Sequence, residues 1–463
     1  MSRTVSSTIP PRLDRLGWSA WHRRVIVALG ITWILDGLEA SLVANLGPTL
    51  EDPRALGMDA FAVGLANTVC LVGQVVCALV FGHLTDRFGR KRLFLVTLSL
   101  YLIATALSGG SPHVAVFLFF RFFAGAGIGG EYAAINSAID ELVPARIRGQ
   151  VDLTINGSYW IGVALGGGLT LALTAYVPIA VGWRLAFGMG ALLGLGVLLV
   201  RRDVPESPRW LLMHGRVDEA DATMTRIERT VHGDASLPPA HAVDVHVTGA
   251  IGLRAVAKIL LVRHRRRSIL GLTLMLAQAF FYNAIFFSYA LILTHFYGVH
   301  PQRVGLYVVP FAAGNFLGPL LLGRLFDGWG RRKMIAATYA ISGVLLIATG
   351  VLFERGVLDA TTQTVAWCVV FFFASAAASS AYLTVSELFP VEIRGMAIAL
   401  FYAIGTCAGA FAPALFGALV RGDDRGSIFW GYVLASALMI AAAIVAHLFG
   451  EDAENRSLEE LAA

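Results

Sequence analysis

Four ionisable residues interrupt stretches otherwise apolar enough for a bilayer: Asp36 and Glu39 within 25–47, Arg121 and Glu131 within 113–138. A charge at the bilayer centre costs about 2.5–3.5 kcal/mol on insertion scales, so each needs a task or a partner. Asp36 and Glu39 are three residues apart, hence about 60° apart on one helix face. The chemistry open to them is proton binding. An ionised carboxylate pairs with Arg121, and protonation frees the guanidinium and changes the local charge. A static ion pair that orders two helices is the other reading. Glu131 stands ten residues beyond Arg121, about 15 Å along a helix and about 80° around it, so the two do not pair directly. It is a second candidate proton site, or a structural residue near an inner gate.

A second set is neutral. Gln278, Tyr282 and Tyr289 share a helix face, with Asn283 beside it. With Gln74, Asn156, Trp160, Asn315 and Tyr382 they would make a mixed amide and aromatic pocket, suited to binding a small polar solute. The competing reading is that these groups stitch helices together inside a membrane. The cysteines, Cys70, Cys77, Cys368 and Cys407, lie in apolar stretches without metal-ligand spacing, so no metal site is expected. Gly125, Gly127, Gly129 and Gly130 superficially imitate a dinucleotide loop, but no strand precedes them, and helix packing explains them better. Without a catalytic constellation or a nucleotide site, an enzyme is not expected. No cofactor is expected either, and any transport would run on a solute or ion gradient such as that of protons.

The elements that must position these residues follow from composition. The 463-residue chain is 57% apolar and 14% charged, with a mean hydropathy of +0.69. That leaves too little polar surface for a soluble protein. Ten spans lack Asp, Glu, Lys and Arg altogether, and with the two charged ones this predicts twelve transmembrane helices in an all-α polytopic protein. With both termini cytoplasmic, 29 of the 36 Lys and Arg face the cytoplasm, six face outside and Arg121 lies between. The basic balance is therefore topological and implies no nucleic acid. The predicted organisation is a cytoplasmic tail (1–24, with no removable signal peptide), a six-helix bundle (25–200), a cytoplasmic linker (201–267), a second six-helix bundle (268–450) and a cytoplasmic tail (451–463). In the linker, Ser207-Pro208 opens a short helix that Gly215 can end. Val217, Ala220, Met224, Ile227 and Val231 give a second helix one apolar face.

Two motifs repeat. Gly82-His-Leu-Thr-Asp86-Arg87-Phe-Gly89-Arg90 returns 241 residues later as Gly323-Arg-Leu-Phe-Asp327-Gly-Trp-Gly330-Arg331. Glu141-Leu-Val-Pro144-Ala-Arg146-Ile-Arg148 returns 246 residues later as Glu387-Leu-Phe-Pro390-Val-Glu392-Ile-Arg394. Two motifs at nearly one offset imply two homologous halves in parallel arrangement. These loops, with Pro205-Glu206-Ser-Pro-Arg209-Trp210, the Arg121-to-Gly129 run and the Glu454-to-Glu460 tail, resemble the major facilitator superfamily, in particular its sugar-porter branch and related proton-coupled metabolite symporters. The resemblance implies the two-bundle major facilitator fold and alternating-access transport of a small polar organic solute, sugar-like or another metabolite, by proton symport. It further implies a cytoplasmic gate of inter-half salt bridges drawn from Gly82, Asp86, Arg87, Gly89, Arg90, Glu141, Arg148, Glu206, Arg209, Asp327, Arg331, Glu387 and Arg394. The Gly129-Gly130-Glu131 ending resembles phosphate and organic-acid carriers instead, so an organic-acid, aromatic-acid or phosphate symporter is the alternative. A drug/proton antiporter and a non-transporting sensor fit the tail and linker less well. The expected setting is the plasma (inner) membrane, the expected partners are solute, protons and lipid, and a monomer is expected to suffice.

Overall fold

The computed structural model describes residues 3–16, 18–58, 60–201, 206–233, 240–247, 258–299, 304–389, 393–421, 424–454 and 456. Strand β1 (Arg3–Ser7) and helix α1 (Ile9–Asp14) precede a first group of long helices. These are α2 (Ala20–Glu51), α3 (Ala60–Phe88), α4 (Arg90–Gly109), α5 (Val114–Leu142), α6 (Arg148–Gly157), α7 (Tyr159–Tyr176) and α8 (Ile179–Arg201). The linker supplies α9 (Pro208–Met213), α10 (Val217–His232) and strand β2 (Val243–Val247). A second group follows: α11 (Arg265–Tyr297), α12 (Val304–Gly328), α13 (Arg331–Glu354), α14 (Ala360–Leu388), α15 (Arg394–Gly409), α16 (Phe411–Arg421) and α17 (Arg425–Phe449). In an apolar medium a helix satisfies its own N–H and C=O groups, which is why the charge-poor spans take this form. Among the described residues, eight helices are long and apolar enough to cross a membrane, and shorter apolar stretches occupy Leu65–Phe81, Val114–Gly130 and Met396–Gly409.

Two expected continuous spans are broken. Ser158 separates α6 from α7, its hydroxyl donating to the Ile155 carbonyl (2.6 Å) and the Gly30 carbonyl (3.1 Å) of α2. Ala410 separates α15 from α16 at the corresponding place in the second group. The neighbours repeat as well. In the first group α3 packs on α5, α4 on α5 and α8, and α2 on α7; in the second, α12 packs on α14, α13 on α14 and α17, and α11 on α15 and α16. The groups meet where α15 lies on α3 and where α12 lies on α6 and α7. Leu192, Leu306, Leu321, Val344, Trp430 and Leu448 are exposed, as a lipid-facing coat requires.

Small residues let backbones touch. A Cβ on Gly125 would lie 2.0 Å from the Cys70 carbonyl oxygen, and one on Gly129 would lie 2.1 Å from that of Gln74. The glycine run of α5 is thus the seam with α3, as the helix-packing reading expects. Gly162 and Gly37 make the same approach between α7 and α2.

Both termini and the linker gather on one face. Against an all-helical expectation, β1 and β2 pair antiparallel there, Arg3 opposite Val247 and Ser7 opposite Val243. Beneath them Ile9, Leu13 and Leu16 are buried against Trp210, Leu211, Met224 and Ile227. The linker helices follow the predicted pattern: Ser207 accepts the Trp210 N–H, Gly215 turns at φ +74°, and Ala220, Met224 and Ile227 are buried. Two charges spaced for the tail seat it. Arg12 bonds Glu228 (2.6 Å) and Asp221, and Arg15 bonds Glu228 (2.8 Å).

Candidate functional site

A cavity of about 300 Å³ lies between the two helix groups. The first group contributes Trp33 and Asp36 from α2, Asn67, Cys70 and Gln74 from α3, Arg121 from α5, Asn156 from α6, and Tyr159 and Trp160 from α7. The second contributes Gln278, Tyr282, Asn283 and Phe286 from α11, Ser375, Ser379 and Tyr382 from α14, and Tyr402 and Thr406 from α15. Of the nine expected solute-binding residues, seven therefore line one cavity: Gln74, Asn156, Trp160, Gln278, Tyr282, Asn283 and Tyr382.

The other two stand behind the wall. Tyr289 is buried against Trp367 (4.8 Å between ring centroids) and Phe311 (5.4 Å), one helical level beyond the cavity. Asn315 is buried too, and its Oδ1 accepts from the Tyr282 hydroxyl at 2.8 Å. It positions a lining residue instead of lining the cavity. Among the lining residues missed were Trp33, Asn67, Cys70, Tyr159, Phe286, Ser375, Ser379, Tyr402 and Thr406. The repeat itself carried a signal for Tyr402, because α15 corresponds to the helix segment α6 that supplies Asn156.

Among the described residues, seven aromatics stand in the walls: Trp33, Tyr159, Trp160, Tyr282, Phe286, Tyr382 and Tyr402. Trp160 packs on Tyr282 (5.9 Å) and edge-on to Phe286 (5.8 Å), while Trp33 meets Tyr382 edge-on (6.2 Å) and Tyr382 meets Tyr402 (6.4 Å). Two amides are committed to their own helices: Asn283 Nδ2 donates to the Ala279 carbonyl (2.8 Å) and Asn156 Nδ2 to that of Asp152 (2.9 Å). Each keeps its amide oxygen for other partners. Gln74 Oε1 accepts from the Tyr402 hydroxyl at 2.9 Å, bridging the two groups across the cavity.

The choice between the two α2 carboxylates is resolved by packing. Glu39, fully buried, accepts from Arg121, which is 1% exposed. The remaining Arg121 amino group donates to Cys70 Sγ at 3.3 Å. Asp36 is 2% exposed and turned to the cavity, and its Oδ1 has no protein partner. The sequence left open which acid pairs with Arg121; in the structure it is Glu39, and one helical step separates it from Asp36, whose Oδ1 has no protein partner. The Glu131 side chain lies outside the described residues.

Below the cavity, toward the face holding the termini, is a charged network. Asp327 accepts from the backbone N–H groups of Gly149 (3.1 Å) and Gln150 (2.7 Å), at the start of α6. This places an anion on a helix N-terminus, where the dipole favours it. Arg331 bonds both Asp327 (2.6 Å) and Glu387 (3.1 Å), and Arg148 reaches Glu387 at 3.4 Å. Arg394 is buried and donates to the Phe389 carbonyl at 3.2 Å. Gly89 and Gly330, with φ of +98° and +116°, occupy equivalent turns before α4 and α13. At each turn an acid accepts a backbone N–H: Glu206 from Lys91 (3.3 Å) and Glu454 from Arg331 (3.1 Å). Glu454 was not among the expected gate residues, although its spacing from Glu206 matches the repeat.

Arg209 pairs with Asp14 of the tail (3.1 Å). Arg87 is exposed, its guanidinium 5.3 Å from the Phe88 ring. The backbone at Gly82, Asp86, Arg90 and Glu141 is helical, and their side chains lie outside the described residues.

Comparison with known proteins agrees with this arrangement. Residues 48–463 match the family described as sugar (and other) transporter. The chain is 27% identical over 454 residues to the niacin transporter NiaP of Acinetobacter baylyi, covering 97% of this chain and 98% of that one. It is 24% identical over 453 residues to the arabinose-proton symporter of Bacillus subtilis, covering 94% and 93%. Its fold superposes on that of the proton:xylose symporter XylE from E. coli with a TM-score of 0.78 at 20% identity, over 95% of this chain and 98% of the other. A dozen apolar helical rods in two matching groups, a closed charged layer and a cavity between them are the parts of a solute carrier, not of an enzyme. The chain belongs to the sugar (and other) transporter family and is a multi-pass membrane protein of the major facilitator fold, a secondary active transporter of small solutes.

Proposed function

We propose that the protein is a proton symporter that carries a small, flat-sided polar organic solute inward by alternating access, with the proton gradient as its driving force. The face holding both termini is cytoplasmic, following the distribution of basic residues, and the membrane is the plasma (inner) membrane. The captured arrangement is then the one closed to the cytoplasm, held by Asp327, Arg331, Glu387 and Arg148. The cavity lies within one chain, so a monomer suffices.

One observation carries the coupling: a fully buried Glu39–Arg121 pair at the cavity wall. Such a pair gains most from its own contact, and losing one partner's charge leaves the other uncompensated. Protonating Glu39 therefore releases Arg121 and loosens the α2–α5 contact at the moment a proton is loaded. The cavity volume and the rings on its wall suit a small organic solute. In proteoliposomes, Glu39→Gln is expected to abolish accumulation against a gradient while preserving solute counterflow. A Glu39→Gln protein that still concentrates solute on a proton gradient would sink this reading.

A further inference from the structure

We propose that Asp36 receives a positively charged nitrogen of the solute, so that the cavity selects small organic cations over neutral or anionic molecules of the same shape. The proposal rests on the cavity being the transport site.

The charge count leads there first. Glu39 and Arg121 neutralise one another, which leaves Asp36 as the remaining carboxyl group on the wall among the described residues. It is 2% exposed, faces the cavity and has a buried oxygen without a protein partner. A carboxyl group in a dry interior is ionised only beside a counter-charge, and among the described residues around it the one cation, Arg121, is committed to Glu39.

The surroundings favour a cation in a second way. Trp33 precedes Asp36 by three residues and so lies on the same helix face. Gly37, next to Asp36, lets α2 meet the backbone of Tyr159, which brings that ring to the same corner. Trp33 in turn touches Tyr382, and Tyr382 touches Tyr402. Aromatic faces carry negative potential and attract alkylammonium and pyridinium groups, and a carboxylate beside such rings completes a site for them. Gln278, Ser375 and Ser379 across the cavity are uncharged and can bond the rest of the solute. A bound cation stabilises the ionised carboxylate of Asp36, which a neutral molecule or an anion does not. The two acids of α2 thus have different tasks, Glu39 on the proton and Asp36 on the solute.

Matched pairs isolate the charge. Purified full-length protein is titrated with choline and its uncharged carbon analogue dimethylbutanol, and with the N-methylnicotinamide cation and nicotinamide. In at least one pair the cation is expected to bind about tenfold more tightly than its twin or better. Asp36→Asn should erase that preference and Asp36→Glu should keep it. If Asp36→Asn does not fold, Asp36→Ser takes its place. Equal affinity within both pairs, no binding of either cation, or a preference that survives in Asp36→Asn or Asp36→Ser overturns the proposal. Glu39→Gln separates the two readings: it should retain the cation preference while losing accumulation, so each can fail alone.

Discussion

Arg121 illustrates how a single contact divides the labour among charged residues. Its guanidinium spans two partners, the Glu39 carboxylate and Cys70 Sγ, and its planar fork suits that geometry in a way an ammonium does not. Because both of its amino groups are committed to Glu39 and Cys70, Arg121→Lys is expected to leave solute affinity within a few-fold of wild type. It should flatten the dependence of uptake on external pH, since a lysine cannot hold Glu39 and the thiol together. Flux and binding measured on the same preparation at two pH values check this. Affinity lost in parallel with uptake would instead mean that Arg121 contacts the solute, as a carboxylate substrate requires.

At the scale of elements, helix ends and helix seams carry the argument. Asp327 caps the start of α6 across the boundary between the halves, and Arg331 and Glu387 lock it in place. Asp327→Asn removes the charge from that contact and should shift the population toward the state open on the cytoplasmic side. Networked contacts of this kind bias such equilibria about 5–150-fold. The measurement is thiol labelling of cavity positions from outside, which should fall, and unchanged labelling with normal expression would show that the contact does not gate. The α2–α7 seam supplies a packing test. A Cβ at Gly162 would lie 1.8 Å from the Ile34 carbonyl oxygen, whereas one at Gly168 would meet nothing within 4 Å. Gly162→Val should therefore cost about 1–3 kcal/mol or more by overpacking, and Gly168→Val little. Thermal unfolding in detergent compares them directly.

On the scale of the whole molecule, the amino-terminal tail and the linker helices pack together as one layer at the linker face. Its apolar side is the cluster of Ile9, Leu13, Trp210 and Met224, and its polar side is Arg12 and Arg15 on Glu228. Burial alone would raise the Glu228 carboxyl, but hydrogen bonds from Arg12 and Arg15 win and hold it below the usual glutamate range. A carboxylate lowered in this way stabilises the layer above its unfolded pKa of about 4.3, and the contribution is lost as pH falls through the lower folded value. Hydrogen-exchange protection in α9 and α10, taken relative to the intrinsic rate at each pH, is therefore expected to stay flat from neutral pH down to about pH 5 and to fall below about pH 4. Glu228→Gln should remove the acid-dependent step. Removing residues 1–16 should speed exchange in both helices at every pH, by uncovering Trp210 and Met224.

The sequence by itself determined what depends on local composition and on repetition. Charge-free spans had to be helices because lipid offers the backbone no partners, and two motifs at a common offset required two like halves. The glycine run in α5 and the stripe of α10 were legible for the same reason, since each is a spacing along one helix. What only the tertiary structure decided were relations between helices. Asp36 and Glu39 are nearly equivalent along α2, and only the placement of α5 made Glu39 the partner of Arg121 and left Asp36 facing the cavity. Tyr282 and Tyr289 share a face of α11, but the cavity ends between them, because Trp367 fills the space beside Tyr289. Arg209 finds Asp14 of the tail, and β1 finds β2 across more than two hundred residues of chain. A charge or a ring has many partners within reach of its spacing, and burial selects one only once every neighbouring helix is in place.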